Sequence, residues 1–200
     1  YMKSIVFSGG CFSGKTTAIN YLKNYLESQG KIVGVSEECM RPVYKEGETI
    51  DSIRSDFERY LNFEIDMIKE KIKVDTELIN SNNFDYVLID RSLTDSLFYY
   101  TFYVDKSKFT KEHWKTYSDF YKELDSEINK FCKLYDVIIQ FKPLDYTKCN
   151  DDKFRPKNLV EIGNCEWHMI NTFNKAYQFE GKMTTIDFNN MPLEKIVNYI

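Results

Sequence analysis

Apolar residues fall along this chain in two spacings. Short unbroken runs occur at Ser4-Ile5-Val6-Phe7, Lys31-Ile32-Val33-Gly34-Val35, Tyr86-Val87-Leu88-Ile89, Val137-Ile138-Ile139-Gln140-Phe141 and Met183-Thr184-Thr185-Ile186. They lack the alternation of a strand with one wet face, and so predict parallel strands covered on both sides. Between them, apolar residues recur every three or four positions, the period of a helix with one buried face. Ala18, Ile19, Tyr21, Leu22, Tyr25 and Leu26 mark a helix over 15–28, stopped near Gly30. Ile53, Phe57, Tyr60, Leu61, Ile65, Ile68 and Ile72 mark a long one over about 51–80, with Thr49 or Asp51 as its cap. Further helices are predicted over 93–103, 110–131, 159–179 and 193–200. Strands alternating with helices imply right-handed crossovers and helices on both faces of one sheet. Without a dividing linker, repeat or low-complexity tract, residues 1–200 read as a single three-layer α/β domain with a five-stranded parallel sheet.

Between the first strand and the first helix lies Ser8-Gly9-Gly10-Cys11-Phe12-Ser13-Gly14-Lys15-Thr16-Thr17. Gly9 to Thr16 has the spacing G-x-x-x-x-G-K-T of a phosphate-binding P-loop, with the strand before and helix after that the motif requires. Its glycines allow turns that a β-carbon forbids, so that backbone N–H groups point inward together. Those donors and the positive end of the following helix suit a polyphosphate. The Lys15 ammonium reaches β- and γ-phosphates, and the Thr16 hydroxyl is a Mg²⁺ ligand. Residues 9–17 are thus the expected ATP site of a P-loop NTPase fold.

Ligands of such sheets bind beyond the carboxyl ends of the strands. Asp90 ends the third strand; it suits Mg²⁺ or an acceptor proton, or simply caps the next helix, a task Ser92 can also perform. Arg91 is placed to clamp a phosphate or stabilise the transferred group, or to pair with Glu37 or Glu38. Glu37, Glu38 and Arg41 follow the second strand. One glutamate is a candidate general base and Arg41 a candidate acceptor clamp; the other reading is a solvated acidic turn. Adjacent residues leaving a strand face opposite ways, so both glutamates stay in play. Arg155 lies in the polar stretch 143–158, read as a lid that closes over phosphates or as an exposed charged loop. The aromatic run 97–103 is mostly core, with one or two rings expected at a ligand.

Composition narrows the classes. A hydrophobic fraction of 42% and a charged fraction of 29% describe a globular chain, and a net charge of −4 argues against a protein-wide nucleic-acid footprint. No apolar run is long enough to span a bilayer and no signal peptide precedes the first strand, so the expectation is a cytoplasmic protein without a membrane partner. Five scattered cysteines without a C-x-x-C pair suit reduced thiols. Only five arginines occur, Arg41, Arg54, Arg59, Arg91 and Arg155. Arginine grips phosphate in a two-pronged way that lysine cannot copy, which singles these positions out.

With these residues in place, the chain resembles the small P-loop kinases of nucleotide metabolism. Asp90-Arg91-Ser92 is similar to the Asp-Arg-Tyr signature of thymidylate kinases and the Glu-Arg-Ser signature of deoxynucleoside kinases. Glu38-x-x-Arg41 with Asp152-Lys153-Phe154-Arg155 looks most like the AAA-type ATP-binding family near the ribosylnicotinamide kinases. The departures are Asp90 for Glu, Ser92 for an aromatic, and Lys153-Phe154 where the third family has glycine. Deoxynucleoside-kinase spacing would select Glu37 as the base. The resemblance implies transfer of the γ-phosphate of ATP to a nucleoside or nucleotide, with Mg²⁺ held by Thr16 and Asp90. A kinase of polynucleotide or base-attached hydroxyls, the one reading with a nucleic-acid partner, and a regulatory NTPase are the alternatives. Oligomeric state is open, a homodimer included.

Overall fold

The computed structural model describes residues 1–11, 13–37, 45–144, 159–177 and 181–200, with 159–162 as backbone only. Its strands are β1 (Lys3–Ser8), β2 (Val33–Ser36), β3 (Tyr86–Asp90), β4 (Val137–Phe141) and β5 (Met183–Ile186). They pair throughout in parallel, in the order β2-β3-β1-β4-β5. The helices are α1 (Lys15–Ser28), α2 (Ile50–Ser55), α3 (Phe57–Asn80), α4 (Leu93–Phe102), α5 (Lys111–Leu134) and α6 (Leu159–Ala176).

Continuous apolar strands are explained by two cores, one on each face. Val6, Val87, Ile89 and Ile138 pack with Leu61, Ile68, Leu97, Tyr100, Leu124 and Ile128 of α3, α4 and α5. The alternate residues Ile5, Phe7, Leu88, Ile139 and Phe141 pack with Ala18, Leu22 and Leu26 of α1. The expected parallel sheet with helices on both faces is the observed one.

The long helix expected over 51–80 is two helices. Asp56 between them has an extended backbone, φ −107° and ψ 102°, and its carboxylate accepts the Arg59 N–H at 3.0 Å as the cap of α3. A local side-chain bond outcompetes helix continuation there. Thr49 caps α2 through a reciprocal pair with Ser52, while Asp51 lies in the first turn. The closing helix is a 3-10 helix (Leu193–Tyr199), led by a Lys195 N–H to Pro192 carbonyl bond of 3.2 Å. Helix α5 runs three residues beyond the expected end, and α6 ends at Ala176 rather than 179.

Register brings the chemistry to one edge. Phe7 lies opposite Asp90, Ser8 opposite Gln140, and Ser36 opposite Ile89. The glycine loop therefore leaves the centre of the sheet, with Asp90-Arg91 on one side of it. Among the described residues, no helix is long and apolar enough to cross a membrane.

Candidate active site

Gly14 sits in the left-handed region at φ 88° and serves as the N-cap of α1. A side chain is strained in that conformation, which accounts for glycine here. No side chain caps α1 and no acidic residue stands in its first turn. Its leading amides are left for an anion, as the loop reading expects. Lys15 is buried, and its ammonium donates to the Gly10 carbonyl at 2.6 Å and to Ser13 Oγ at 3.2 Å. Burial, together with the Arg91 charge, pushes the Lys15 pKa down. Thr16 and Thr17 are exposed at the mouth of the loop.

A buried polar network carries the loop from below. Asp95, from the first turn of α4, accepts Ser8 Oγ at 2.5 Å and the Gly9 N–H at 3.1 Å. Asn174 of α6 donates to Ser8 Oγ at 3.1 Å and accepts from Thr94. Burial raises the Asp95 pKa, against the pull of Arg91, Ser8 and Gly9. Ser92 caps α4 by accepting the Asp95 N–H at 3.1 Å. The capping role open to Asp90 is thereby filled by Ser92, leaving the Asp90 carboxylate to other uses.

Asp90 is 8% exposed, and its Oδ1 has no hydrogen-bond partner among the described residues. Buried polar atoms are nearly always paired, so an orphaned carboxylate oxygen beside a phosphate loop fits a ligand such as Mg²⁺. Its carbonyl accepts from Lys71 Nζ at 3.1 Å, and Lys71 is ion-paired at 3.0 Å with Asp75. Asp75 in turn accepts Ser36 Oγ at 2.5 Å. One face of α3 thus pins the ends of β2 and β3.

Arg91 has φ 69°, an uncommon conformation for a residue with a side chain. It is fixed by its N–H to the Phe7 carbonyl at 2.9 Å. Nη1 donates to the Gly9 carbonyl at 3.2 Å and to Tyr99 Oη at 3.0 Å, while Nη2 lies 3.7 Å from Cys11 Sγ. The guanidinium also covers the Tyr99 ring at 4.9 Å. Tyr99 stacks on Tyr103 at 5.6 Å, and Arg54 covers Tyr103 at 4.8 Å. Of the aromatic run, Tyr99 and Tyr103 are half-buried beside Arg91, whereas Leu97, Phe98 and Tyr100 are core.

Two carboxylates join this group that sequence reasoning passed over. Glu64 of α3 is 3% exposed, with Oε2 unpartnered among the described residues. Burial pushes it up to about 7, against Tyr60 and the charges of Arg54 and Arg91. Glu166 of α6 is 2% exposed and bonds the glycine loop itself, its Oε2 accepting the Cys11 N–H at 2.8 Å. Both sit on amphipathic helices, where a lone Glu reads as a solvated residue. The only available signal was position: Glu64 shares a helical face with Tyr60, Ile68, Lys71 and Asp75.

Glu37 is described, exposed one residue beyond β2. Phe12, Glu38, Arg41, Arg155 and most of the expected lid lie outside the described residues. The groups brought together are therefore the glycine loop with Lys15, Asp90, Arg91 and the edge of α4.

A glycine-rich loop between β1 and α1, in a parallel sheet of this strand order, defines a P-loop α/β fold of the kinase-like type. A profile of the AAA domain family matches residues 4–176, and the chain belongs to that family. Among solved structures it is similar to deoxyadenosine kinase from M. mycoides with the products dCMP and a flexible dCDP bound. That match has a TM-score of 0.60 and 16% identity, covering 98% of this chain and 95% of that one. The same kinase with bound dCTP gives 0.58 and 17%, over 98% and 97% of the two chains. The NadR protein in complex with NR gives 0.64 and 18%, covering 100% of this chain and 52% of NadR. At these identities the likeness is one of fold. No curated protein matches the sequence.

Proposed function

We propose that this protein transfers the γ-phosphate of ATP to a hydroxyl of a small acceptor, and that the acceptor is a nucleoside. The observation that carries the proposal is the convergence on one sheet edge of Lys15, the unpartnered Asp90 oxygen and the Arg91 guanidinium. The amides that follow Gly9, whose own N–H is held by Asp95, would with the Lys15 ammonium cradle the ATP phosphates: those of Gly10, Cys11, Phe12, Ser13, Gly14 and Thr17. Thr16 and Asp90 supply the hard oxygen donors that Mg²⁺ prefers, and that ion would offset phosphate charge.

In the transfer itself, an acceptor hydroxyl oxygen forms a bond to Pγ while the bond from Pγ to the β–γ bridging oxygen breaks, releasing ADP. The hydroxyl proton passes to a carboxylate after β2, Glu37 or Glu38, and Arg91 steadies the transferred group, with Arg41 on the acceptor side and Arg155 closing from the segment 143–158. Positioning and charge stabilisation supply most of the acceleration in such reactions.

A nucleoside is preferred to a nucleotide because of the charges around Arg91. Among the described residues, buried Glu64 and Glu166 stand near it. A monophosphate brought beside Glu166, and beside Glu64 once it ionises above about pH 7, meets like charge in a poorly screened place. The neutral hydroxyls of a nucleoside meet hydrogen-bond acceptors instead. The likeness of fold to a deoxyadenosine kinase and to NadR with NR supports the same class.

The expected outcome is nucleoside-stimulated release of ADP from ATP, followed by a coupled assay. Lys15→Ala abolishes it while circular dichroism stays that of the folded protein. Unchanged ADP release in Lys15→Ala removes the loop from the reaction and overturns the reading.

A further inference from the structure

Three groups that would face a polyphosphate are bonded to the loop itself or to its neighbours. Lys15 donates to the Gly10 carbonyl at 2.6 Å, Arg91 to the Gly9 carbonyl at 3.2 Å, and the Cys11 N–H to Glu166 Oε2 at 2.8 Å. The third contact differs in kind from the others, because Glu166 brings a negative charge onto a loop amide. Its seat is built. Tyr103 donates to Oε1 at 3.0 Å, and the carboxylate is 2% exposed. A Cβ on Gly10 would overlap Oε2 and approach the Glu166 Cβ to 3.0 Å, so glycine at position 10 is what lets the carboxylate close against the loop.

We propose that Glu166 is an internal anion of the phosphate loop: its carboxylate, held by Tyr103, occupies the Cys11 amide and opposes an incoming polyphosphate. Glu166 has this role only if residues 9–17 bind ATP as proposed. A carboxylate and a phosphate sharing one buried loop repel each other with little screening. Arrival of the nucleotide therefore requires Glu166 to leave the amide or to accept the repulsion, and in either case nucleotide affinity is lower than the loop alone would give. The same term speeds departure of ADP, and product release limits the turnover of many enzymes that close over substrate. Glu166 lies on α6, whose Asn174 also holds Ser8, so one helix contacts the loop region at two points.

The test is calorimetric titration of adenosine, AMP, ADP and ATP, each with Mg²⁺, into wild type, Glu166→Gln, Tyr103→Phe and Lys15→Ala. Glu166→Gln keeps the side-chain shape and removes the charge. It raises ATP affinity by about tenfold, with a gain that shrinks from ATP through ADP to AMP and vanishes for adenosine. Tyr103→Phe, which frees Oε1 without touching the charge, gives a smaller gain in the same order. In ¹⁵N spectra, the Cys11 amide signal of ligand-free wild type moves on Glu166→Gln and on saturation with ATP. Unchanged or weaker ATP binding in Glu166→Gln, alongside loss of binding in Lys15→Ala, overturns the role of Glu166 and leaves the loop assignment standing. An equal gain for all four ligands also overturns it, since charge is then not the cause. Absence of ATP binding by wild type overturns the loop assignment and the role of Glu166 with it.

Discussion

At the scale of single residues, the site is a set of charged side chains packed closely against one another. Lys15 and Arg91 stand among Asp90, Asp95, Glu64 and Glu166, and burial pushes the Lys15 pKa down and those of Asp95 and Glu64 up. Glu64 is the clearest case, because burial raises its pKa from 4.5 to about 7. Folding therefore takes up a proton at this carboxyl between those two values. Stability from Glu64 is greatest below pH 4.5, and falls as pH rises toward 7 and the folded carboxyl must ionise. Glu64→Gln removes that penalty. In urea denaturation, the variant gains on wild type as pH rises from 4.5 to 8, by an amount on the order of 2–3 kcal/mol. A difference between the two proteins that does not change with pH would mean that Glu64 is ionised throughout.

At the scale of elements, local chemistry sets boundaries and tertiary contacts set function. Several boundaries were legible. Helix α1 and strands β4 and β5 were predicted to the residue, since a glycine pair brackets the first and turn residues bracket the others. The break at Asp56 was not legible, because Phe57, Tyr60 and Leu61 continue the apolar period straight across it. Capping reads a single carboxylate, whereas periodicity averages over a window. Removing that carboxylate by Asp56→Ala lowers stability by about 1 kcal/mol in denaturant titration with an unchanged slope. A loss below a few tenths would show that the extended backbone at 56 is imposed by packing of α2 and not by the cap.

The same contrast applies to the site. Lys15, Asp90 and Arg91 were legible because motif spacing and strand ends place them on the chain before any packing is known. Glu64, Glu166 and Asp95 were not, because each belongs to a helix and reaches the candidate site only through what the helix packs against. Asp95 looks like a favourable acid in the first turn of α4, yet it reaches under the loop to Ser8 and Gly9. Tyr99 and Tyr103 were indistinguishable from the core aromatics around them until the fold placed Arg91 over one and Arg54 over the other.

At the scale of the whole molecule, strand order and register convert separate signals into one site. With β1 central and β3 beside it, the glycine loop and Asp90-Arg91 emerge side by side, 80 residues apart in sequence between Gly10 and Asp90. The glycine loop has α1 behind it and the Asp95–Asn174 network beneath it. In the proposed reading, the acceptor half lies beside Arg91, where Glu64 of α3 and Glu166 of α6 would favour a neutral partner. Incubation with γ-labelled ATP and a panel of nucleosides and nucleoside monophosphates reads both halves at once. The account predicts label on at least one nucleoside, none on the monophosphates, and none on any acceptor with Lys15→Ala. Label released only as inorganic phosphate, or carried only by a monophosphate, would contradict it.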